Sequence, residues 1–357
     1  IYFQYEAPAF SFLANVAAVP LATCAFTLAF LLIFLPYTVF HEAISWMIQG
    51  VLWISRQSYG MLTIGHVPFL WVLLFYFMTG LWIWKKNGQN RHIRISLAYV
   101  IMIILIWIPM ARRKSLAFLD VGQGDCFVAD TKSGAIIFDG GSSSEDQVGR
   151  YRILPYMKYL GYQKIQIAVI SHMDIDHYSG IKELLEMGKI KYLGLPEIPK
   201  DETMKKIIGI AKKRGTTIFY LSRGRQITTK DGSLKVLHPQ KNSQMEKNAA
   251  SLVMQGKILG YRVLLTGDVE KEGEEELLSE ELERADILKA AHHGSKNSTS
   301  NEFLQKVQPK QTVISCGKQN RYGHPHLETI HRLQTYRTKI YRTDRSGAII
   351  FFKRRDG

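Results

Sequence analysis

Charged residues are almost missing from the first third of this 357-residue chain. No Lys, Arg, Asp or Glu occurs over residues 7–40, 57–84 or 95–111. Each stretch is long enough to cross a hydrocarbon core of about 30 Å as a helix rising 1.5 Å per residue. These stretches exclude a wholly soluble protein and a disordered chain. They predict transmembrane helices over residues 20–40, 61–84 and 95–109.

Cysteine is also scarce, with only three in the chain. Cys24 lies in an apolar run, whereas Cys126 and Cys316 lie far apart in strand-like segments. This distribution excludes a disulfide scaffold, and we interpret the three thiols as small core side chains.

The charges that are present divide the chain into two parts. Residues 111–357 carry 41 Lys and Arg against 29 Asp and Glu, a formal net charge of +12. We therefore predict a membrane region over residues 1–111 and a polar domain over residues 112–357. An amphipathic segment with Trp46 and Trp53 is typical of an interfacial helix. The abrupt apolar start suggests the carboxy-terminal part of a longer polypeptide.

In the polar part, short apolar strands are separated first by glycine turns and then by helices. Helix-length segments with apolar residues at helical spacing follow both batches of strands. This order predicts an α/β fold in which two packed sheets carry helices on their outer faces.

The densest group of polar side chains follows an apolar strand predicted over residues 165–170. Residues 171–177 read Ser-His-Met-Asp-Ile-Asp-His and hold four possible metal ligands: His172, Asp174, Asp176 and His177. Alternate residues of an extended chain share a face, so the first three can point the same way. The start of the next helix turns His177 toward them. The pattern predicts a metal-binding cleft.

This segment resembles the His-x-His-x-Asp-His signature of the metallo-β-lactamase superfamily, with Asp174 in place of the second histidine. Further motifs follow in order: Leu-Asp-Val-Gly-Gln-Gly-Asp (119–125), Leu-Leu-Thr-Gly-Asp (264–268), His-His-Gly-Ser (292–295) and Tyr-Gly-His-Pro (322–325). Together they are similar to the carboxy-terminal hydrolase domain of ComEC-type DNA-internalisation competence proteins, a family of inner-membrane DNA channels. The resemblance covers roughly the whole chain. It implies an αββα two-sheet sandwich preceded by transmembrane helices.

The resemblance also implies two divalent metal ions, with Asp268 bridging them. The implied ligands are His172, Asp174, Asp176, His177, Asp268 and His324. Asp174, and Asn248 near the position of the middle histidine, would replace imidazoles with oxygen donors. Oxygen ligands suit Mn²⁺ better than Zn²⁺, so we expect Mn²⁺ in preference to Zn²⁺.

Other residues near these ligands are expected to act on substrate. Asp176, Asp268 and His293 form the expected catalytic set, with His293 either a metal ligand or the acid that protonates the leaving oxygen. The expected substrate-binding residues are Ser295, Lys296, Asn320 and Arg321.

Two acids in glycine turns, Asp125 and Asp139, are expected to be structural. Short acids in such turns usually accept hydrogen bonds from nearby backbone. A direct ligand role is the alternative for both.

The charge of the polar part indicates the substrate class. A metal pair promotes hydrolysis of a phosphodiester as well as of a lactam, and a net charge of +12 favours a polyanion. The first hypothesis is therefore a membrane-anchored nuclease for DNA uptake during natural transformation, which hydrolyses the strand that is not transported. The alternatives are a DNA-guiding transport module with a structural or vestigial metal site, and a membrane hydrolase of another phosphodiester.

The nuclease hypothesis carries expectations about partners and place. The partners are incoming duplex DNA and its single-stranded product, the lipid membrane, other DNA-uptake proteins and further copies of this chain. We expect a multi-pass protein of the cytoplasmic membrane with the hydrolase domain on its outer face, although the basic flanks nearly balance and do not fix the topology.

Overall fold

The computed structural model describes residues 5–8, 11–32, 38–56, 61–84, 96–97, 100, 113–245, 248–280 and 282–354. The chain forms two compact units, Ile1–Pro109 and Met110–Gly357. In the described residues, the first unit is mostly helical and the second contains two large sheets.

The first unit contains a helical hairpin, a further helix and a small sheet. Its elements are β1 (Glu6–Pro8), α1 (Ser11–Leu31), α2 (Thr38–Arg56), β2 (Met61–Thr63) and α3 (Phe69–Trp84). Helix α1 packs against α2, and β1 pairs antiparallel with β2. The two central threonines of α1 donate their hydroxyl protons to carbonyls one turn earlier, so these polar groups are satisfied within an apolar helix.

The helices of the first unit differ from the predicted spans. Among the residues described, no helix combines the length and apolar character needed to cross a membrane. The span predicted over residues 61–84 begins with β2, and α3 starts only at Phe69, directly after Pro68. Proline favours such a helix start because it lacks a backbone N–H. Residues 33–37 and most of 95–109 lie outside the described residues.

Helix α2 lies where the amphipathic segment predicts a helix. Its two tryptophans are strongly exposed, Trp46 at 75% and Trp53 at 62%. Both indole rings are therefore available to an apolar or interfacial environment.

The second unit contains fourteen described strands in two seven-stranded sheets. The strands are β3 (Ser115–Phe118), β4 (Phe127–Thr131), β5 (Gly134–Phe138), β6 (Ile165–Val169), β7 (Ile190–Pro196), β8 (Thr217–Leu221), β9 (Gln226–Thr229), β10 (Gly232–His238), β11 (Val253–Ile258), β12 (Tyr261–Leu265), β13 (Ile287–Lys289), β14 (Gln311–Ile314), β15 (Lys339–Arg342) and β16 (Ile349–Phe352). One sheet has the order β16-β3-β4-β5-β6-β7-β8, and the other has the order β15-β14-β13-β12-β11-β10-β9.

Helices connect the parallel parts of both sheets. They are α4 (Leu154–Tyr159), which follows a π-helical turn at Gly149–Ile153, α5 (Ile175–Glu186), α6 (Glu202–Lys213), α7 (Lys271–Leu278), α8 (Asn301–Val307), α9 (Leu327–Thr335) and α10 (Thr343–Ser346). Strands β5 to β8 run parallel in the first sheet, and β12 to β15 run parallel in the second.

The core lies in three apolar layers. Between the sheets, Phe118 and Phe127 from the first pack in one cluster with Val236 and Met254 from the second. Strand residues alternate between faces, so Ala117 belongs instead to the cluster that α5 and α6 cover. A third cluster joins the second sheet to α8 and α9. This arrangement confirms the predicted αββα two-sheet fold.

The carboxyl ends of the central parallel strands create one polar edge. Strand β6 leads to residues 171–174 and α5, β12 leads to Gly267 and Asp268, and β13 leads to His292 and His293. Because parallel strands present their carboxyl ends at the same edge, loops that are distant in sequence meet there.

Glycines let a turn of the first sheet close on the start of α5. A Cβ atom on Gly124 would lie 2.2 Å from the carbonyl oxygen of Gly141, and one on Gly141 would lie 2.5 Å from that of Ile175. The close approach allows the Asp125 amide to donate to the Asp176 carbonyl oxygen at 3.0 Å. The backbone of Asp125 is therefore locked against the helix that carries Asp176.

The first prediction concerns independent folding of the second unit. Residues 113–357 alone should give a soluble protein that unfolds cooperatively, because a core of this size sustains a domain. Starting at Ser115 instead should lower the free energy of unfolding by about 1–3 kcal/mol, because Asp130 loses the Lys114 ammonium at 2.8 Å. Urea unfolding of both fragments measures this difference. Aggregation of residues 113–357 without detergent would contradict the boundary.

Candidate metal centre

His177 occupies the first turn of α5 and is fully buried. Its Nδ1 donates to Asp139 Oδ2 at 3.0 Å, and Asp139 Oδ1 accepts from the Ser171 amide at 2.7 Å. The opposite ring nitrogen, Nε2, lies 3.2 Å from Asp268 Oδ2. A carboxylate behind a histidine fixes both the tautomer and the orientation of the ring, which is common for metal-binding histidines.

His293 faces the same carboxylate from another loop. It lies in a short 3₁₀ turn, Ala291–Gly294, where His292 and His293 have φ of 49° and 53°. This left-handed backbone is costly for residues other than glycine and often marks functional sites. Nδ1 of His293 donates to the Ser315 carbonyl oxygen at 2.9 Å, and Nε2 lies 3.4 Å from Asp268 Oδ2.

Four buried side chains form a compact group that could hold a cation. One ligand atom from each of Asp125, His177, Asp268 and His293 lies within 4.8 Å of the others. Asp176 adjoins the group from a more open position, with Oδ2 3.3 Å from His293 Nε2.

Two ring nitrogens of this group, Nε2 of His177 and Nε2 of His293, are buried without a hydrogen-bond partner among the described residues. An unsatisfied buried polar atom costs about 1–3 kcal/mol. The imidazole and carboxylate donors present therefore fit a divalent cation, which would use these atoms.

The charged side chains of this group shift one another's pKa values. Burial alone would raise the pKa of Asp268, but the positive charges of His177, His293 and Lys289 hold it well below its usual value. Burial lowers the pKa of His177 and His293, but Asp268 and a second carboxylate beside each ring raise it well above the usual value. A bound cation would thus displace protons from both rings.

Two further predicted ligands, His172 and Asp174, lie beside this group. His172 is buried, with its ring centroid 4.1 Å from that of His177, and its Nδ1 pairs with Ser171 Oγ at 3.0 Å. Its Nε2 has no hydrogen-bond partner among the described residues and lies 3.8 Å from Asp174 Oδ2. Burial and the His177 charge lower the pKa of His172 to about 3, so the ring is neutral and able to bind a cation.

His324 lies outside the four-residue group. Its ring centroid is 6.2 Å from that of His293 and 5.5 Å from that of His292, and it stacks with Tyr322 at 5.7 Å. Burial and the charge of His293 lower its pKa to about 4. The ring is thus a neutral neighbour of the centre, and its predicted ligand role stays a prediction.

Asn320, a predicted substrate contact, is bonded to the backbone of its own loop. Its amide nitrogen donates to the carbonyl oxygens of Gly317 and His324 at 3.0 and 2.6 Å, and its carbonyl oxygen accepts from the His324 amide at 2.9 Å. Asn320 therefore shapes the loop of His324, and its predicted contact with substrate stays a prediction.

The other predicted contacts lie around the rim. Ser295 Oγ accepts from the Asn297 amide at 3.3 Å, while Lys296 is exposed. Arg321 is exposed, with its guanidinium 4.9 Å from the ring centroid of Tyr322. The Asn248 amide contacts Glu270 Oε1 at 3.4 Å. The predicted phosphate contacts of Ser295, Lys296 and Arg321 remain predictions.

Sequence reasoning left one feature of the centre open and missed another. Asp125 was expected to accept hydrogen bonds from its own turn, with a direct ligand role as the alternative, and its carboxylate lies in the four-residue cluster and contacts the ammonium of Lys289. Lys289 itself was not predicted to take part. The signal for it is a lone lysine at the end of the buried segment Ile287–Lys289, separated by two alanines from the His-His-Gly-Ser motif.

Comparison with known proteins identifies a family and several relatives of this chain. The sequence model of the Metallo-beta-lactamase superfamily matches residues 119–318. The chain is 34% identical over 294 residues to ComE operon protein 3 of Bacillus subtilis (strain 168), covering 76% of this chain and 38% of that protein. It is 30% identical over 248 residues to Competence protein ComA of Neisseria gonorrhoeae, covering 67% of this chain and 32% of that protein. The chain thus spans about a third of the length of these relatives.

Solved structures with a similar fold are much more distant in sequence. The metallo-beta-lactamase fold protein YhfI from Bacillus subtilis covers 66% of this chain with 99% of its own, at a TM-score of 0.46 and 12% identity.

The second prediction concerns the carboxylate behind His177. Asp139→Asn keeps the shape but weakens the acceptor for Nδ1, so Mn²⁺ affinity should fall about 10–100-fold. Isothermal titration calorimetry of the full chain measures the affinity. The matched control is Asp130→Asn, another buried carboxylate, which contacts Lys114 and Tyr162 and should leave Mn²⁺ affinity unchanged. Equal affinities in wild type and Asp139→Asn would show that Asp139 does not support a ligand.

The third prediction concerns metal preference. Asp174→His should shift preference from Mn²⁺ toward Zn²⁺, because imidazole is softer than carboxylate and nitrogen-rich sites favour zinc. Equilibration with both metals followed by elemental analysis gives the bound ratio. A ratio unchanged from wild type would mean that Asp174 is not a ligand.

Proposed function

Because the chain belongs to the metallo-β-lactamase superfamily, we propose that its second unit is a metal-dependent hydrolase of DNA phosphodiester bonds. The ComEC-type resemblance is confirmed by ComE operon protein 3 and Competence protein ComA, to which the chain is similar. Their names connect them with competence, and on that basis we propose DNA as the substrate class of this chain.

One observation carries the proposal. Nε2 of His177 and Nε2 of His293 both face Asp268 Oδ2, and Asp176 Oδ2 lies against His293 Nε2 on the more open side. The side chains of His177, His293, Asp268 and Asp176 would hold one divalent cation. His172 and Asp174 are available for a second. Such a cation would activate water and polarise a phosphoryl oxygen. The protein supplies the fixed orientation of the rings and buries the side chains of His177, His293 and Asp268.

The surroundings of this group favour an anionic polymer. The exposed side chains of Lys296, Lys318 and Arg321 lie on the loops that carry His293 and His324. Tyr322, 42% exposed, stacks on His324 and offers an aromatic surface beside the centre. Basic groups attract phosphates and aromatic rings stack with bases, so this rim suits single-stranded DNA.

We extend the proposal to DNA uptake during natural transformation. In this role the centre degrades the strand that is not transported, in the presence of incoming duplex DNA, other DNA-uptake proteins and further copies of the chain. Mn²⁺ is the proposed metal, because carboxylates contribute much of the donor set.

The first unit supports a proposed membrane location. Helix α1 exposes Phe26 at 76%, and α2 exposes Trp46 and Trp53. Large exposed apolar side chains on packed helices favour contact with lipid, and tryptophan favours the headgroup level. We propose the cytoplasmic membrane, with the hydrolase domain on its outer face.

One feature favours the alternative of a DNA-guiding module without catalysis. The Lys289 ammonium contacts Asp125 and lies 3.4 Å from Asp268 Oδ1, so part of the acidic charge is balanced without a metal. A site balanced in this way could remain folded as a structural element.

The fourth prediction separates these functions. The full chain in detergent should cleave end-labelled linear DNA in the presence of Mn²⁺. Cleavage should stop when a chelator is added. Asp268→Asn should reduce the rate by about 100-fold or more, because it removes the anion shared by both rings. The matched control is Asp286→Asn, a buried carboxylate that pairs with Lys310 at 2.9 Å, which should retain the wild-type rate.

Two outcomes would contradict the proposed DNA nuclease. DNA binding with Mn²⁺ bound but no cleavage would support the guiding module. Hydrolysis of a cyclic nucleotide or a lipid phosphodiester, with DNA left intact, would support a hydrolase of another substrate.

A further inference from the structure

A buried lysine lies at the edge of the candidate metal centre. Lys289 is 4% exposed and ends β13, between the parallel strands β12 and β14. Lysine is almost never buried this completely unless its charge is paired. Its position therefore requires partners for the ammonium group.

Those partners are parts of the centre itself. The ammonium contacts Asp125 Oδ2, lies 3.4 Å from Asp268 Oδ1 and donates to the Gly267 carbonyl oxygen at 2.9 Å. An ammonium has three donors, and these three acceptors account for all of them. Lys289 is therefore held in one place by two loops that also build the metal pocket.

The contacts of Asp125 place it on the far side of the two central rings. Asp125 lies 3.7 Å from Nδ1 of His177 and 3.5 Å from Nδ1 of His293. Both Nδ1 atoms already donate to other acceptors, Asp139 Oδ2 and the Ser315 carbonyl oxygen. Asp268 Oδ2, in contrast, lies within 3.4 Å of both Nε2 atoms. Within the four-residue group, Asp125 therefore lies on the Nδ1 side of both imidazoles and Asp268 lies on their Nε2 side.

The two oxygens of Asp268 are divided in the same way. Oδ1 faces the ammonium of Lys289, and Oδ2 faces the ring nitrogens. Lys289 therefore orients this carboxylate so that one oxygen is offered to a cation at the Nε2 side.

We propose that Lys289 is a built-in counter-cation of the metal centre: it neutralises Asp125, orients Asp268 and limits how tightly, and in what number, divalent cations bind. The inference rests on the proposed metal centre but not on its substrate. Without the ammonium, two buried carboxylates would lose their fixed positive partner. A divalent cation would then be bound more strongly, because charge interactions in a poorly solvated pocket are weakly screened.

The fifth prediction is a gain in metal binding on loss of the lysine. Lys289→Met in the full chain should bind Mn²⁺ at least about tenfold more tightly, or bind one additional Mn²⁺ per chain. Isothermal titration calorimetry gives the affinity, and elemental analysis gives the number of ions. The matched control is Lys310→Met, which removes an exposed lysine paired with Asp286. This pair lies at the amino ends of β13 and β14, away from the metal centre, so both values should stay unchanged.

A double variant tests the role of Asp125 and guards against poor folding of the single variant. Asp125→Asn combined with Lys289→Met removes the buried pair of charges and leaves Asp268 paired with the rings of His177 and His293. If Asp125 only balances Lys289, the double variant should keep the affinity and number of Mn²⁺ ions found in wild type, within about threefold. If Asp125 were a metal ligand, the double variant would bind Mn²⁺ much more weakly.

The outcomes distinguish this inference from the nuclease proposal. Mn²⁺ binding that is unchanged or weaker in folded Lys289→Met, or lost in the double variant, would overturn the role of Lys289 whether or not DNA is cleaved. Tighter binding in the single variant with wild-type binding in the double variant would support it, even if the wild type proved to have another substrate.

Discussion

Two hydrogen bonds behind the central histidines determine what this site can do. Asp139 accepts from Nδ1 of His177, and the Ser315 carbonyl oxygen accepts from Nδ1 of His293. Each bond leaves Nε2 as the nitrogen that faces Asp268. Without them either ring could rotate or change tautomer, and the buried nitrogens would no longer converge on one carboxylate.

The fold supplies these bonds from both sheets. Asp139 follows β5 and His177 follows β6 in the first sheet, whereas Asp268, His293 and Ser315 follow β12, β13 and β14 in the second. The inter-sheet core of Phe118, Met254 and their neighbours fixes the distance between these two sets of strand ends. The apolar packing of the sandwich is therefore what brings a donor set together from loops that are far apart in sequence.

The sequence predicts those parts of the site that lie in one continuous motif. His172, Asp174, Asp176 and His177 lie together because they follow a single buried strand, and the apolar strand pattern also predicts the two-sheet fold. Whether His293 is a metal ligand or an acid could not be decided from the motifs, because the left-handed backbone at His292 and His293 breaks the alternation that sequence reasoning assumes. Lys289 was missed for a different reason. A lysine is expected at the surface, and only the three-dimensional structure shows that Asp125 reaches it from the other sheet.

We propose that one divalent cation lies at the Nε2 side of His177 and His293. Anomalous scattering from crystals of the full chain grown with Mn²⁺ would locate this ion. We expect a peak within about 2–2.3 Å of both Nε2 atoms and of Asp268 Oδ2, with Lys289 still against Asp125. A peak between Asp125 and Asp139, or no peak in this pocket at saturating Mn²⁺, would contradict it.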